Sequence, residues 1–382
     1  MAGPRLLEGM RVVDLTSIVF GPYATETLAD LGAEVIKVES PTGDLFRYAG
    51  KPAATMGMGA CHMNLNKGKS SVALDLKSPE GKAGLEKLLA DADVFIHNVR
   101  LKGIERLGFG YEAVKAIKPD IVYVHCVGFG SDGPYRDLQA YDDVIQAATG
   151  TATLLPRADG NPRPRFLPSL IADKVAGLHG AYATLAAIIH RLRTGEGQFV
   201  EVPMFEAFTH FMMLEHLYGK TFVPQTYPAG YPRQIDPERQ PFPTADGWIS
   251  IVPYTDETTV LLAKVMGADD VLADDRFSTP MARLTNMTAF YAEVGKRTPA
   301  KTTAEWCDIF AEAQIPAMPV RDLEDMTADP HLEAVGFFQQ REHPTEGGYL
   351  HMRAPVTFSV GLPETGPAPT IGQDNAALLG KG

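Results

Sequence analysis

The stretch Arg11-Val-Val-Asp-Leu-Thr-Ser-Ile-Val-Phe-Gly-Pro22, continued by Leu31-Gly-Ala-Glu-Val-Ile-Lys-Val38, indicates the fold of this chain. The segment 11–15 is typical of a buried strand, and Pro22 suits the first turn of a helix. Gly32 fits the C-terminal end of that helix, and a second apolar strand follows at 34–38. A strand, a helix and a second strand at this spacing predict a βαβ unit.

The same alternation continues through the N-terminal half of the chain. Strand signals lie at 71–75, 93–97, 121–127 and 199–203, and helix signals lie at 79–90, 111–117, 141–150 and 173–193. Strands separated by helices of this length indicate parallel pairing, because a parallel connection needs a crossover. The sequence therefore predicts an α/β fold with a mainly parallel sheet.

Length and composition narrow the class of protein. The chain has 382 residues, which is too long for one compact core, so we expect two domains. The second domain is expected to begin near Thr244-Ala-Asp-Gly-Trp248, after a Pro-, Tyr- and Gly-rich stretch at 222–243 that is typical of a linker or an active-site loop.

Charge and cysteine content exclude several kinds of partner. The net charge of −12 argues against a nucleic-acid partner, although a local basic pocket can still bind a polyanion. No apolar run has the ~18 residues that a membrane helix needs, so no membrane partner is expected. Three widely separated cysteines form no disulfide framework or metal spacing, and together with the lack of a signal-peptide pattern they predict a cytoplasmic protein.

Familiar catalytic and cofactor motifs are incomplete. Gly128-Phe-Gly-Ser-Asp-Gly133 has the spacing of a dinucleotide fingerprint, but Pro134 follows where a helix should open. The first βαβ turn is the better nucleotide position by topology, yet it carries a single glycine, Gly21. The sequence contains no G-x-S-x-G and no H-E-x-x-H, so we expect no hydrolase elbow and no metal site.

Asp173 is the most informative candidate residue. It lies in Pro168-Ser-Leu-Ile-Ala-Asp-Lys-Val-Ala-Gly177, where a long helix rich in alanine and glycine begins. A carboxylate near a helix N-terminus is held ionised by the helix dipole, and an ionised, positioned carboxylate can act as a nucleophile. From this segment alone, a cap of the helix is the favoured role of Asp173.

Several segments together identify a family. The pattern resembles the family III CoA transferases (the CaiB–BaiF superfamily), and it covers essentially the whole chain in order. The matching segments include Gly21-Pro-Tyr-Ala24, Leu31-Gly-Ala-Glu-Val-Ile-Lys-Val-Glu39, Asn64-Leu-Asn-Lys67, Ala73-Leu-Asp-Leu-Lys-Ser-Pro-Glu-Gly81, Asp93-Val-Phe-Ile-His-Asn98, Tyr141-Asp-Asp-Val-Ile-Gln-Ala147, Ile171-Ala-Asp173 and Arg193-Thr-Gly-Glu-Gly-Gln198.

The resemblance implies an architecture. It assigns 1–205 to a large Rossmann-like, CoA-binding domain to which the tail 345–382 returns, and 241–325 to a smaller α+β domain. Linkers at 206–240 and 326–344 would join the two domains. It further implies a homodimer of interlocked subunits.

The resemblance also implies chemistry. Asp173 falls on the nucleophilic aspartate of the family, which attacks an acyl-CoA thioester to give an acyl–aspartyl anhydride and then an aspartyl-CoA thioester. Coenzyme A is then a co-substrate, with no permanently bound cofactor, and the acceptor is a small carboxylic acid. The residues that match CoA-binding positions are Leu74 and Lys77 beside the adenosine, Asn98 near the pantetheine and Arg106 on the phosphates, while Tyr141 matches an active-site tyrosine.

Departures from the family pattern bear on the substrate. Members that use oxalate have a glutamine where Val19 stands, and a basic residue expected after Glu39 is replaced by Ser40. Oxalate is therefore not the expected acceptor. Val19 and Phe20 instead predict a substrate pocket for a less polar acid.

Three other functions remain open from the sequence. A 2-methylacyl-CoA racemase would have a histidine in place of Tyr141 and a glutamate near Thr255. A non-catalytic acyl-CoA-binding protein would have no need of Asp173. A nucleotide-dependent dehydrogenase would need the complete glycine fingerprint.

Overall fold

A computed structural model of the chain describes residues 6–380. Its eleven strands are β1 Arg11–Leu15, β2 Glu34–Glu39, β3 Lys69–Ala73, β4 Val94–His97, β5 Val122–Val127, β6 Gln198–Pro203, β7 Phe242–Pro243, β8 Trp248–Ile251, β9 Ala317–Pro319, β10 Phe338–His343 and β11 Gly347–Met352. Its sixteen α-helices are α1 Phe20–Asp30, α2 Ala60–Leu65, α3 Pro79–Ala90, α4 Leu101–Leu107, α5 Tyr111–Ile117, α6 Asp142–Ala148, α7 Leu154–Asp159, α8 Ile171–Thr194, α9 Met204–His216, α10 Asp256–Val265, α11 Asp269–Leu272, α12 Pro280–Thr285, α13 Met287–Arg297, α14 Thr303–Glu312, α15 Pro330–Ala334 and α16 Asn375–Leu379.

The described residues form two compact units. The first holds the described residues of Met1–Ala152, Phe166–Leu214 and Pro330–Gly382, and the second holds Thr153–Arg165 and Glu215–Asp329. The domain limits inferred from the sequence stay a prediction, and their outermost residues, 1–5 and 381–382, lie outside the described residues. Dimerisation also stays a prediction.

A six-stranded sheet organises the first unit. Its strand order is β3-β2-β1-β4-β5-β6, and every pair in it is parallel. This is the order of the doubly wound fold that binds dinucleotides. The predicted α/β fold with a mainly parallel, Rossmann-like sheet is therefore confirmed.

Helices cover both faces of the sheet because neighbouring strand residues point to opposite sides. Val12 of β1 and Val94 of β4 belong to a core that contains α1 and α8. Val13 and Phe95, the next residues along, belong to a second core that contains α3, α4 and α5. Strands that are buried on both faces read as continuous apolar runs, which is why the strand signals in the sequence are clear.

The long helix α8 runs antiparallel to the strands, from their carboxyl ends to their amino ends. At its C-terminal end, Arg191 pairs with Asp93 at 2.8 Å and with Asp120 at 2.5 Å. Asp93 directly precedes β4, and Asp120 lies two residues before β5. Asp173 lies 18 residues earlier in the helix, about 27 Å away at about 1.5 Å per residue. A parallel strand of six residues spans only about 20 Å, so Asp173 lies at the side of the sheet where the strands have their carboxyl ends.

Two glycines of α8 let α1 pack closely against it. A Cβ atom added at Gly177 would lie 3.0 Å from the Phe20 carbonyl oxygen, and one at Gly180 would lie 3.2 Å from the Ala24 Cβ. The two helices therefore run in the same direction, with their N-terminal ends side by side. The loop before α1 and the first turn of α8 are brought together in this way.

The C-terminal part of the first unit contacts β3. The backbone N–H of Ser71 donates to Asp374 at 2.8 Å, and the N–H of Ala73 donates to Asn375 at 2.8 Å. Helix α16 follows directly and packs its leucines against the α3 side of the sheet. An antiparallel hairpin, β10–β11, precedes this segment in the chain.

The second unit is a small α+β body, as the sequence predicts. Its antiparallel sheet has the order β7-β8-β9. The core includes Ile249 and Ile251 of β8 together with Phe290, Trp306 and Phe310 of the surrounding helices. Two of these helices, α12 and α13, are separated by the single residue Asn286.

We expect Gly21→Ala to destabilise the first unit. The added Cβ would lie 2.3 Å from the Thr16 Cγ2, and Asp14 holds Thr16 by accepting bonds from its N–H and its hydroxyl. Overpacking of this kind lowers the free energy of unfolding by about 2 kcal/mol. This loss exceeds the stabilisation that alanine gives over glycine within a helix. The melting temperature should fall by about 5 °C.

Gly366→Ala is the matched control, because a Cβ there would meet no atom within 4 Å. Its melting temperature should stay close to that of the parent protein. Equal melting temperatures for the two variants would show that Thr16 can move aside.

Candidate active site

The candidate site lies where the strand order of the large sheet reverses, between β1 and β4. The loop 16–19 follows β1, and Asn98 follows β4. The Ser17 N–H donates to the Asn98 Oδ1 at 3.0 Å, and the Asn98 Nδ2 donates to the Ser17 carbonyl at 2.9 Å. In sheets of this order, ligands bind in the crevice outside the strand ends at the reversal point.

Asp173 lies at the same edge, in the first turn of α8. Leu170, not Asp173, is the N-cap residue, and its own side chain makes no capping hydrogen bond. The Asp173 N–H donates to the Asp142 Oδ1 at 3.1 Å, so the free N–H group that a cap would satisfy is bonded to another carboxylate. Asp173 thus does not cap the helix, and its own carboxylate is left for another use.

Burial sets the ionisation of Asp173. The residue is only 6% exposed, and within residues 6–380 no group donates a hydrogen bond to its carboxylate. Burial, and to a lesser degree the nearby Asp142, raise the pKa of Asp173 to about 7. The helix dipole alone predicts a lower pKa, but removing a carboxylate from water is the larger effect here.

Asp142 is the residue that reasoning from the sequence missed. Its Oδ2 accepts a hydrogen bond from the Gln146 Nε2 at 2.7 Å, and the Gln146 Oε1 accepts one from the Leu167 N–H at 2.9 Å. These bonds fix the segment that leads into α8. The i,i+4 spacing of Asp142 and Gln146 is a signal in the sequence, but it does not reveal a partner 31 positions away.

Of the predicted CoA-binding residues, Leu74, Lys77 and Asn98 follow the carboxyl ends of strands, and Arg106 lies in the last turn of α4. Leu74 comes directly after β3 and is buried in the core on the α3 side. Lys77 and Arg106 are exposed, and neither side chain has an ion-pair partner among the described residues. Asn98 is the one member bonded to the loop beside Asp173.

The other predicted site residues differ in exposure. Val19 and Phe20 are each 4% exposed, and Phe20 packs into the core beneath α8. Tyr141 is 62% exposed and precedes Asp142, so it lies next to the residue that contacts Asp173. The structure therefore brings Val19, Phe20, Asn98, Tyr141 and Asp173 to one edge of the sheet.

A cavity of the first unit is separate from this edge. It has a volume of about 590 Å³ and lies between the β10–β11 hairpin and the segment 354–365. Its lining includes none of the predicted site residues. We place the candidate site at Asp173, because Asp173 lies at the strand-order reversal, where sheets of this order bind their ligands.

Within residues 6–380, no three His, Cys, Asp or Glu side chains are grouped so that they could hold a metal ion. No helix in the same range has both the length and the apolar character needed to cross a membrane.

Comparison with known proteins assigns the family. The sequence model described as CoA-transferase family III matches residues 7–375. The chain belongs to CoA-transferase family III. The resemblance seen in the sequence motifs is confirmed, and with it the prediction of a CoA-transferase.

Individual relatives of this CoA-transferase agree with the assignment. A succinate–glutarate CoA-transferase from Agrobacterium fabrum is 30% identical, over 98% of this chain and 94% of its own. A formyl-CoA:oxalate CoA-transferase from Escherichia coli O157:H7 is also 30% identical, over 98% of this chain and 94% of its own. Among solved structures, a CaiB/BaiF family protein from Brucella suis has a TM-score of 0.84 at 30% identity and covers 99% of both chains.

We expect Asp173→Asn to stabilise this CoA-transferase at alkaline pH. In the parent protein the folded-state pKa of Asp173, about 7, lies above the unfolded value of 3.8. The folded state therefore binds more protons between these values, and its stability falls as pH rises through about 7. A tenfold change in a proton-binding constant is worth about 1.4 kcal/mol, so the gain from asparagine should reach a few kcal/mol at pH 8.

Melting temperatures measured from pH 4 to pH 9 test this expectation. The difference between Asp173→Asn and the parent should grow with pH and level off above about pH 8. Asp143→Asn, which removes an exposed carboxylate from the same region, is the control and should show no such growth. A constant difference for Asp173→Asn would mean that Asp173 is ionised throughout.

Proposed function

We propose that this chain transfers CoA from an acyl-CoA donor to a small carboxylic acid, with Asp173 as the nucleophile. The observation that carries the proposal is a buried carboxylate without a hydrogen-bond donor, at the strand-order reversal of a family III CoA-transferase. Structural carboxylates at this depth are paired with cations or hydrogen bonds, because an unpaired one is costly. A functional role accounts for that cost.

The chemistry starts with attack of an Asp173 carboxylate oxygen on the thioester carbonyl carbon. A C–O bond forms, the carbonyl π electrons move to oxygen, and collapse of the adduct breaks the C–S bond. The CoA thiolate leaves with the bonding pair, and an acyl–aspartyl anhydride remains. Attack of the thiolate on the Asp173 carbonyl then releases the first acid and leaves an aspartyl-CoA thioester.

The second half of the reaction repeats these steps with the acceptor acid. The incoming carboxylate attacks the aspartyl-CoA thioester and displaces the thiolate, which gives a new anhydride. The thiolate then attacks the acyl carbonyl of this anhydride, so the acceptor leaves as its CoA thioester and Asp173 is regenerated. Group-transfer energy is kept in covalent bonds throughout, so the exchange needs no nucleotide.

Burial of Asp173 serves this route in two ways. A desolvated carboxylate is a stronger nucleophile than a hydrated one, since it need not shed bound water before attack. Exclusion of water also protects the anhydride, which water would otherwise hydrolyse. The cost is a raised pKa, so that near neutral pH part of the enzyme holds Asp173 protonated.

For CoA we propose the residues that match the family pattern. Lys77 and Arg106 carry exposed charges without a described ion-pair partner, which suits them to phosphate groups. Asn98 lies at the mouth of the crevice for the pantetheine arm, and Leu74 lies at the end of β3 for the adenosine. Tyr141 is exposed beside Asp142 and would face the acyl group.

For the acceptor we propose an acid less polar than oxalate. Val19 offers no hydrogen-bonding side chain in the first loop, and Phe20 beside it is aromatic. One relative carries the name succinate–glutarate CoA-transferase, and longer dicarboxylic acids of that class fit a partly apolar pocket. Succinyl-CoA with glutarate is therefore the first donor and acceptor pair to test.

A covalent adduct on Asp173 is the direct prediction. Protein incubated with a panel of acyl-CoAs and quenched with hydroxylamine or borohydride should carry a mass change that maps to the peptide with Asp173. Asp173→Asn and Asp173→Ala should lose both the adduct and CoA transfer while keeping the fold. Asp143→Asn is the matched control and should keep both.

Two results would contradict the proposal. Undiminished turnover in Asp173→Ala would remove the nucleophile from the mechanism. Incorporation of solvent deuterium at the acyl α-carbon, with Asp173 unmodified, would instead indicate a racemase.

The rate should depend on pH through the ionisation of Asp173. Only the carboxylate is nucleophilic, so kcat/KM should rise with pH and level off above the folded-state pKa of about 7. Asp142→Asn removes the nearby negative charge and should move the midpoint of the rise to lower pH. Burial remains the larger cause of the raised pKa, so the midpoint should stay above the ordinary range of an aspartate.

Initial rates between pH 5 and pH 9 with subsaturating acyl-CoA give this midpoint. Asp143→Asn should leave it where the parent has it. An unchanged midpoint in Asp142→Asn would show that Asp142 does not act on the charge of Asp173.

A further inference from the structure

The loop between β1 and α1 is held by side chains at almost every backbone group. The Thr16 N–H donates to Asp14 at 2.9 Å, and the Thr16 carbonyl accepts from the Lys37 Nζ at 3.0 Å. Asn98 binds both the N–H and the carbonyl of Ser17. The N–H of the next residue, Ile18, donates to both carboxylate oxygens of Asp44, at 3.1 and 3.2 Å. We call these four side chains, Asp14, Lys37, Asp44 and Asn98, the loop clamp.

The loop clamp is largely buried and charged. Asp14 and Lys37 are fully buried, and Asp44 is 6% exposed. The Lys37 Nζ also donates to Asp44 at 3.0 Å, so the two holding groups are themselves paired. A buried, satisfied network of this kind permits one arrangement of the backbone it holds.

The loop clamp maintains an unfavourable conformation. Ile18 has a φ of 71°, in the left-handed region that a β-branched side chain rarely adopts. Such a conformation persists only where the surroundings enforce it, and it clusters at functional sites. The effect of this turn is to change the direction in which the following backbone N–H groups point.

The three N–H groups after the turn have no acceptor in the described part of the chain. Within residues 6–380, the N–H groups of Val19, Phe20 and Gly21 donate to no protein atom, whereas the Tyr23 N–H already bonds to the Val19 carbonyl. They form the N-terminus of α1, a helix of 11 residues, where the partial positive charge of the helix is concentrated.

The buried carboxylate of Asp173 lies beside these donors. Gly177 faces the Phe20 carbonyl across the close contact of α8 with α1. Asp173 is one turn before Gly177 on the same face of α8, and side chains of a helix lean towards its N-terminus. The Asp173 carboxylate and the three N–H groups, all without a hydrogen-bond partner among the described residues, are therefore carried by adjoining turns of the two packed helices.

We propose that the backbone N–H groups of Val19 and Phe20 form the oxyanion hole of this enzyme, and that the loop clamp positions them. This inference rests on the proposed function. As the Asp173 oxygen bonds to the thioester carbon, the carbonyl oxygen gains the π electron pair and accepts hydrogen bonds from the two N–H groups. When the carbonyl re-forms, the C–S pair leaves with the thiolate and the negative charge departs from the hole.

The geometry explains why Asp173 itself does not occupy these donors permanently. A carboxylate that was fully bonded to two N–H groups would be stabilised in the ground state and would lose nucleophilicity. Donors aimed at the oxygen that becomes charged during the reaction lower the barrier instead. Asn98, Asp44 and Lys37 are positioning residues in this scheme, since they act through the loop.

Replacement of single amides by esters tests the donors directly. Phenyllactic acid in place of Phe20, and α-hydroxyisovaleric acid in place of Val19, remove one N–H each and keep the side chain. Each should slow single-turnover acylation of Asp173 at saturating acyl-CoA by about 100-fold. The dissociation constant for free CoA should change less than about twofold.

The matched control is the corresponding hydroxy acid in place of Tyr111. Its N–H is likewise in the first position of a helix, α5, and has no bonded acceptor among the described residues. Acylation in this variant should keep the parent rate. Far-UV circular dichroism checks that all three ester variants are folded, and the two sites in the loop give independent measurements should one fail to fold.

The outcomes separate the two hypotheses. Parent-like acylation in both loop esters overturns the oxyanion hole while leaving Asp173 as the nucleophile. Absence of any adduct in the parent protein overturns the proposed function and this inference with it.

Asn98→Ala tests the positioning role. A slower single turnover at saturating acyl-CoA supports positioning, because saturation removes the effect of any lost contact with the pantetheine arm, and Asn98→Asp should partly rescue the rate because it keeps the acceptor for the Ser17 N–H. Loss of CoA affinity alone, with the single-turnover rate unchanged, overturns it.

Discussion

The site depends on the close contact of α1 with α8. Gly177 and Gly180 give α8 no side chain at this contact, so its backbone lies directly against Phe20, Tyr23 and Ala24 of α1. A side chain at Gly177 would push the first turn of α1 away, and with it the loop that follows β1. The position of Asp173 relative to that loop is therefore set by helix packing, far more rigidly than a flexible connection could set it. Arg191, at the other end of α8, fixes the helix along its length through Asp93 and Asp120.

Two unfavourable contributions to the free energy of folding arise at this contact. One is the desolvation of Asp173, which raises its pKa to about 7. The other is the left-handed backbone at Ile18, whose φ of 71° costs about 1–2 kcal/mol in a non-glycine residue. Both are sustained by the same part of the fold, where the sheet is buried on both faces and two buried ion pairs form, one between Lys37 and Asp44 and the other between Lys69 and Asp14. Strain and desolvation at one place are typical of a site whose reactive geometry is prepared before the substrate arrives.

Much of the fold could be predicted from the sequence, because β1, β2, β4 and β5 are buried on both faces and read as mainly apolar runs, with polar exceptions such as Asp14, Lys37 and His125. The position of Asp173 at a helix start was also visible, since the alanine- and glycine-rich pattern after it is strong. The raised pKa of Asp173 could not be predicted from the sequence, because burial and a neighbouring charge are properties of the packed structure. Asp142 was missed for a related reason: its bond to the Asp173 N–H links residues 31 positions apart, and no local pattern indicates that pairing. Likewise, nothing in Ile18 as a residue type predicts a positive φ, which arises only because Asn98 and Asp44 hold the backbone on either side.

The strand order of the large sheet is that of folds that bind dinucleotides, yet the turn after β1 has a different construction. In those folds glycines let the turn approach a pyrophosphate, which rests on the N-terminus of the following helix. Here the turn has one glycine, Gly21, and the backbone is held by side chains from β1, β2 and the residue after β4. The N-terminus of α1 nevertheless keeps its free N–H groups and its partial positive charge. A permanent phosphate there would neutralise them in the ground state, whereas an oxyanion forms only while bonds are changing. The same topological position can therefore serve binding in one protein and catalysis in another. The difference is whether the N–H groups of the helix N-terminus bind a permanent phosphate or a transient oxyanion.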